Sequence, residues 1–239
     1  TLISLLAVTL LGGTSGGFAS APSASAAPAL ARDPQVVVDV VTSEPTTLDP
    51  TLAAGSAGDT RPLSMLYDTL VFRNKDLTYS PFLAEGWEVS DEGRTLTFKL
   101  REDVTFHNGD PFNADAVIFT LNRFLAGGAR SPLYDEVSRI TDMQKLSDYE
   151  VQISFDEPSA TLISSLSQPY AGMLSPRAVE EWGEDYGRHP VGTGPFRFSD
   201  WKSGQTITFE KNPDYDWGPP AVDNQGPDRI DGVIYRIMP

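Results

Sequence analysis

The chain has no cysteine among its 239 residues. Disulfides and thiol catalysis are excluded, and an exported protein of this sequence must be held together by packing alone. Histidine is almost as scarce, with only His107 and His189, far apart in the chain. Zinc and nickel sites gather several imidazole, thiolate or carboxylate ligands at ordered spacing, so no metal and no cofactor is expected. Basic residues are outnumbered, 18 against 33 acidic, for a net charge of −15. A phosphate backbone or an anionic membrane surface is repelled by such a chain, and nucleic acid is not an expected partner. The apolar run Leu2 to Leu11 is too short to span a bilayer. Catalytic signatures are missing as well. Gly192-Thr193-Gly194-Pro195 lacks the Lys-Ser/Thr ending and the following helix of a phosphate loop, because strand-like Phe196-Arg197-Phe198 comes next. Carboxylates are abundant, but nothing singles out a pair for acid and base work, and no His-Asp couple stands ready for a nucleophile.

What is present is a soluble composition, 40% hydrophobic and 21% charged, and one stretch dense in structural signals, Leu83 to Arg123. Thr95 to Arg101 alternates with Leu96, Phe98 and Leu100 on one face, the period of a half-buried strand. Trp87 and Val89 begin its partner, and Asp91-Glu92-Gly93-Arg94 supplies the turn, Gly93 being free to take positive φ. Trp87 is read as structural. Asn108-Gly109-Asp110-Pro111 is a second turn. Asn113 can then cap a helix whose first turn carries Asp115 and whose apolar face is Val117, Ile118, Leu121, Phe124 and Leu125.

Elsewhere, Val36 to Val41 is β-branched and nearly continuous, as in a strand buried on both faces. Residues 48–62 are small and polar and predict a surface loop, followed by a short helix over 63–70. A hairpin is expected over 140–155, with its turn at Ser147-Asp148-Tyr149, and another pairs 196–201 with the strand around Ile207 and Phe209. Ser159 and Ser175 are placed to cap short helices, the second with Pro176 at its first position. A last strand runs from Ile230 through Ile237. Leu2 to Leu11 followed by a Gly, Ser, Ala and Pro tract reads as a signal peptide with linker over 1–31, with small-residue cleavage sites at Ala24-Ser25-Ala26 and Ala29-Leu30-Ala31. Residues further upstream are expected, since the run opens with neither Met nor a basic segment.

In order, Ala84 and Trp87, the acidic turn with Gly93, Thr97-Phe98-Lys99-Leu100-Arg101, Phe106-His107-Asn108-Gly109 and Ala114-Asp115-Ala116-Val117 closely resemble the signature region of the family 5 extracellular solute-binding proteins, the peptide- and nickel-binding receptors of ABC importers. Glu44 to Pro50, Pro190 to Phe196 and Lys211 to Tyr215 fit the same pattern. The resemblance implies a mixed α/β fold of periplasmic-binding-protein-like type II. It places 32–46 and 169–239 in lobe I, 47–168 in the family's extra small domain, and leaves the second lobe out of the sequence. It implies a receptor rather than an enzyme, which takes a short peptide or similar solute outside the cytoplasmic membrane and passes it to permease subunits, and which is monomeric at full length. Gly55, Ser56, Ala57 and Tyr134 are the ligand-contacting residues it points to. A secreted hydrolase of peptides or glycosides is the competing reading. Many relatives in single-membrane bacteria are anchored through an acylated cysteine; without one, a cleaved and freely soluble or otherwise retained periplasmic or extracellular protein is expected. N-terminal sequencing of exported material should find a mature chain beginning between Ala26 and Arg32, and a product still beginning within Leu2 to Leu11 would remove the signal-peptide reading.

Overall fold

The computed structural model describes residues 34–53 and 57–238. In chain order the elements are β1 (Val36–Val41), α1 (Ala57–Leu66), β2 (Val71–Arg73), β3 (Tyr79–Pro81), β4 (Ala84–Ser90), β5 (Thr95–Leu100), α2 (Ala114–Ala126), α3 (Tyr134–Val137), β6 (Ile140–Ser147), β7 (Glu150–Phe155), α4 (Leu162–Ser165), α5 (Pro176–Trp182), β8 (Phe196–Lys202), β9 (Thr206–Lys211) and β10 (Gly232–Ile237). The signal-peptide stretch lies outside the described residues. Among those described, no helix is long and apolar enough to cross a membrane.

The strands form three sheets: β4-β5-β7-β6, all antiparallel; the two-stranded β2-β3; and β1-β10-β9-β8, in which β1 runs parallel to β10 and the other pairs are antiparallel. In the first sheet the alternation of β5 is realised, with Leu96, Phe98 and Leu100 buried and Trp87 opposite Phe98. The turn carries positive φ at Asp91 and Glu92 as well as at Gly93. Helix α2 lies on this sheet, capped by Asn113, whose side chain accepts from the Ala116 N–H at 3.1 Å. Leu125 is exposed and Thr120 takes a buried place instead, donating its hydroxyl to the Ala116 carbonyl and accepting from the Leu174 N–H. Two apolar cores result, one under each four-stranded sheet, and Tyr170 and Val191 pack against both.

Three expectations are corrected. First, β1 is an edge strand with Val36, Val37, Val38 and Val40 all 45–54% exposed. β-branching favours extended backbone whether or not the faces are covered, so the run predicted the strand and not its burial. Second, in the stretch expected as a surface loop, Leu48, Asp49, Thr51 and Ala53 are buried, and α1 starts at Ala57 with Pro62 inside it. Asp49 makes that burial tolerable: it accepts from the N–H and hydroxyl of Thr51 and from Arg123 of α2 at 2.6 Å. Third, Ser159 caps nothing, and α4 is a single turn preceded by Thr161. Ser175 does cap α5, accepting from the Ala178 N–H at 3.2 Å.

The loop before β8 passes so close to the end of α1 that a Cβ on Gly192 would overlap the Leu66 carbonyl oxygen, and one on Gly194 the Met65 carbonyl oxygen. Gly194 N–H donates to the Leu66 carbonyl at 2.9 Å in that gap. Gly192→Ala should therefore lower stability by about 3 kcal/mol, since backbone must move to admit the methyl, whereas Gly86→Ala, with open space at its Cβ, should stay within about 0.5 kcal/mol of the parent. Urea unfolding followed by tryptophan fluorescence measures both, and equal costs would refute the close-approach argument.

Candidate functional site

Immediately after α1, Asp68 is carried into the interior by the apolar residues around it, Leu66, Tyr67, Leu70 and Val71, all buried. Its carboxylate accepts hydrogen bonds from the Trp217 indole N–H at 3.0 Å, the Thr193 hydroxyl at 3.0 Å and the Tyr215 hydroxyl at 3.3 Å. No cation reaches it among the described residues. Burial raises its pKa to about 6, and the three donors recover part of the desolvation cost. The Tyr215 hydroxyl is pushed up in turn, by burial first and then by the charge of Asp68. This cluster borders a cavity of about 410 Å³ whose walls include Tyr67, Phe72, Arg73, Gln168 and Tyr215. Phe72 and Phe82 meet edge to face at 5.8 Å along it.

Behind the same loop stands His107. The Gly192 N–H donates to its Nδ1 at 3.3 Å, and its Nε2 lies 3.0 Å from the Gly194 carbonyl. This pattern assigns a neutral ring with the proton on Nε2. Burial lowers its pKa to about 4. With both nitrogens engaged, the imidazole is a clamp on the glycine loop. The adjoining turn is tied down as well, since Asp110 accepts from Arg177 of α5 and from Ser175.

Residues 78–239 match the pattern of the bacterial extracellular solute-binding proteins, family 5 Middle. The chain belongs to that family. The family 5 chain is 35% identical over 216 residues to the glutathione-binding protein GsiB of Salmonella typhi, covering 90% of this chain and 40% of the relative. Among solved structures it is similar to the periplasmic binding protein DppA of Helicobacter pylori in complex with the peptide STSA, with TM-score 0.74, 28% identity and 85% of this chain against 43% of that one. It is likewise similar to AgaA of A. tumefacien R10 in complex with agropinic acid, with TM-score 0.74, 28% identity and coverage of 85% and 40%. The mixed α/β fold is thus that of the family's binding proteins, and the chain spans about two fifths of the length of the relatives it matches.

Of the residues expected to meet ligand, Gly55 and Ser56 lie outside the described residues. Ala57 opens α1 and Tyr134 opens α3, half-buried, its N–H donating to the Ser131 carbonyl at 3.2 Å. They sit on different parts of this family 5 fold, since α1 packs toward residues 169–171 and β8 while α3 packs on α2, and Tyr134 does not border the cavity. Asp68, Gln168 and Tyr215 were not singled out from the sequence. A carboxylate inside the apolar stretch Leu66 to Val71 was the available signal for the first; Tyr215 ends the motif Lys211 to Tyr215 that carries part of the resemblance, and Gln168 carries no signal.

The two buried groups on the glycine loop titrate in opposite senses. His107 has its folded pKa depressed from 6.5 to about 4, so its contribution is complete above pH 6.5 and lost as pH falls to about 4. Asp68 has its folded pKa raised from 3.8 to about 6, so its contribution is complete below pH 4 and lost as pH rises through 6. Over pH 4 to 6.5 the deficit of His107→Gln relative to the parent should grow with pH. That of Asp68→Asn should shrink, each by on the order of 2 kcal/mol. Urea midpoints at pH 4, 5, 6 and 7 test this, and two variants whose deficits run parallel with pH would contradict the assigned environments.

Proposed function

We propose that this chain is the amino-terminal part of the substrate-binding subunit of an ABC importer, which takes a short peptide or comparable solute outside the cytoplasmic membrane and delivers it to permease subunits. The observation that carries the reading is the cavity beside Asp68 in a chain of this family. Its walls include the aromatic rings of Tyr67, Phe72, Phe82 and Tyr215, and its one buried charge is already occupied by three donors of the protein itself. Such a surface holds a molecule without attacking it. Relatives and neighbours are named for glutathione, a peptide and agropinic acid, all small polar solutes bearing carboxylates. That range supports a small amphipathic ligand for this chain too.

In this reading residues 32–46 and 169–239 belong to lobe I and 47–168 to the inserted small domain. The solute is enclosed when a second lobe closes over the first by hinge motion. Gly55, Ser56 and Ala57 pair with the backbone of an extended solute, and Tyr134 flanks it. Titration calorimetry with trialanine should find millimolar affinity for the 239-residue chain and micromolar or tighter affinity for the complete gene product. Ala57→Trp in the latter should reduce affinity about tenfold or more by blocking strand pairing while leaving the melting temperature unchanged. Recovery of hydrolysed peptide would replace the receptor with the secreted hydrolase, and equal affinities for the two chains would refute the lobe plan.

A further inference from the structure

Cations of this acidic chain are mostly neutralised at short range. Residues as far apart as Arg61, Lys99, Arg123, Lys145, Arg177 and Lys211 each stand within ion-pair distance of a carboxylate. Arg73 and Lys75 are among the cations that have no such partner within the described residues, as are Arg130, Arg139 and Arg236, and what sets these two apart is that they border cavities. Arg73 ends β2, Lys75 follows it in the β2–β3 hairpin, both side chains are exposed, and neither has an ion pair among the described residues. Arg73 borders the 410 Å³ cavity and also a neighbouring one of about 600 Å³, on which Lys75 opens.

The carboxylates around these two cavities do not cancel them. Asp68 is buried and occupied by its three donors. Asp76 accepts from the N–H and hydroxyl of Thr78 at 3.1 and 2.6 Å. Asp223 borders the second cavity without an ion pair to either cation. An apolar aromatic wall with an unspent guanidinium at its solvent edge fits a solute that has an apolar body and a carboxylate end. Guanidinium presents two parallel donors to a carboxylate and is weakly hydrated, so it is the better suited of the two cations for direct contact.

We propose that Arg73, backed by Lys75, is the carboxylate-binding group of this cavity and makes the chain select anionic-ended solutes over neutral-ended ones. The proposal rests on the reading of the cavity as solute-facing. A charge-assisted hydrogen bond of this kind corresponds to a discrimination of roughly tenfold or more.

The test is an NMR titration of the 239-residue chain with trialanine and with trialanine amide, which lacks the carboxylate, following the Arg73 Nε–H and the Trp217 indole N–H resonances. The parent should bind the acid about tenfold more tightly than the amide, with the Arg73 resonance moving only for the acid. Arg73→Gln should bind both alike, Arg73→Lys should recover part of the preference, and Lys75→Gln should weaken it only slightly. Binding of neither probe would overturn the solute-facing reading and this proposal with it. Equal binding of both probes by the parent, or a preference that survives in Arg73→Gln, would leave the cavity as a solute site and overturn the role of Arg73.

Discussion

Backbone approaches backbone closely only where no side chain intervenes, and Gly192-Thr193-Gly194 uses that freedom to bring together stretches far apart in sequence. The two glycines let the loop lie against the carbonyls at the end of α1. His107 closes on it from the Phe106 to Asp110 turn, and Thr193 donates into Asp68. The sheet built on β5 and the sheet built on β9 are thereby tied to one another by polar contacts beside Val191, which packs against both cores. Tyr67 and Tyr186 extend the junction, their hydroxyls 3.1 Å apart and bonded on to the Leu48 and Val191 carbonyls.

Joining elements with polar contacts in a dry interior is costly unless each group is met. Asp68 and His107 answer the cost differently. The aspartate keeps three donors and a raised pKa, and the histidine gives up its charge and uses both nitrogens for backbone. Because their linkages oppose each other between pH 4 and 6.5, the junction as a whole is buffered where either group alone would make it acid- or base-labile. The cavity lies directly against this junction, with Tyr67, Asp68 and Pro195 among its lining residues.

Much of the architecture was legible because its signals are local. Alternation in β5, the turn residues at Gly93 and Asn108-Gly109, and the caps Asn113 and Ser175 depend on neighbours a few residues away, and each is found where its chemistry put it. The errors have a common physical form. Val36 to Val41 announced a strand, but whether its faces are covered depends on what packs above and below the sheet that it forms with β10. The stretch from Leu48 to Ala53 looked like surface because it is small and polar, yet Asp49 is paid for by an arginine 74 positions away.

The sequence by itself determined the periodicities, the turns, the absence of thiol chemistry and, through an ordered set of motifs, membership of a family of solute-binding proteins. These are properties of residue type and short spacing. Only the tertiary structure decided that Asp68, Thr193, Tyr215 and Trp217 converge, that Gln168 and Arg73 border the same cavity, and that a glycine loop with no phosphate to hold serves as the joint between two sheets. Those facts rest on residues far apart in the chain, such as Asp68 and Trp217, whose burial and protonation are set by one another and so cannot be read from any one of them.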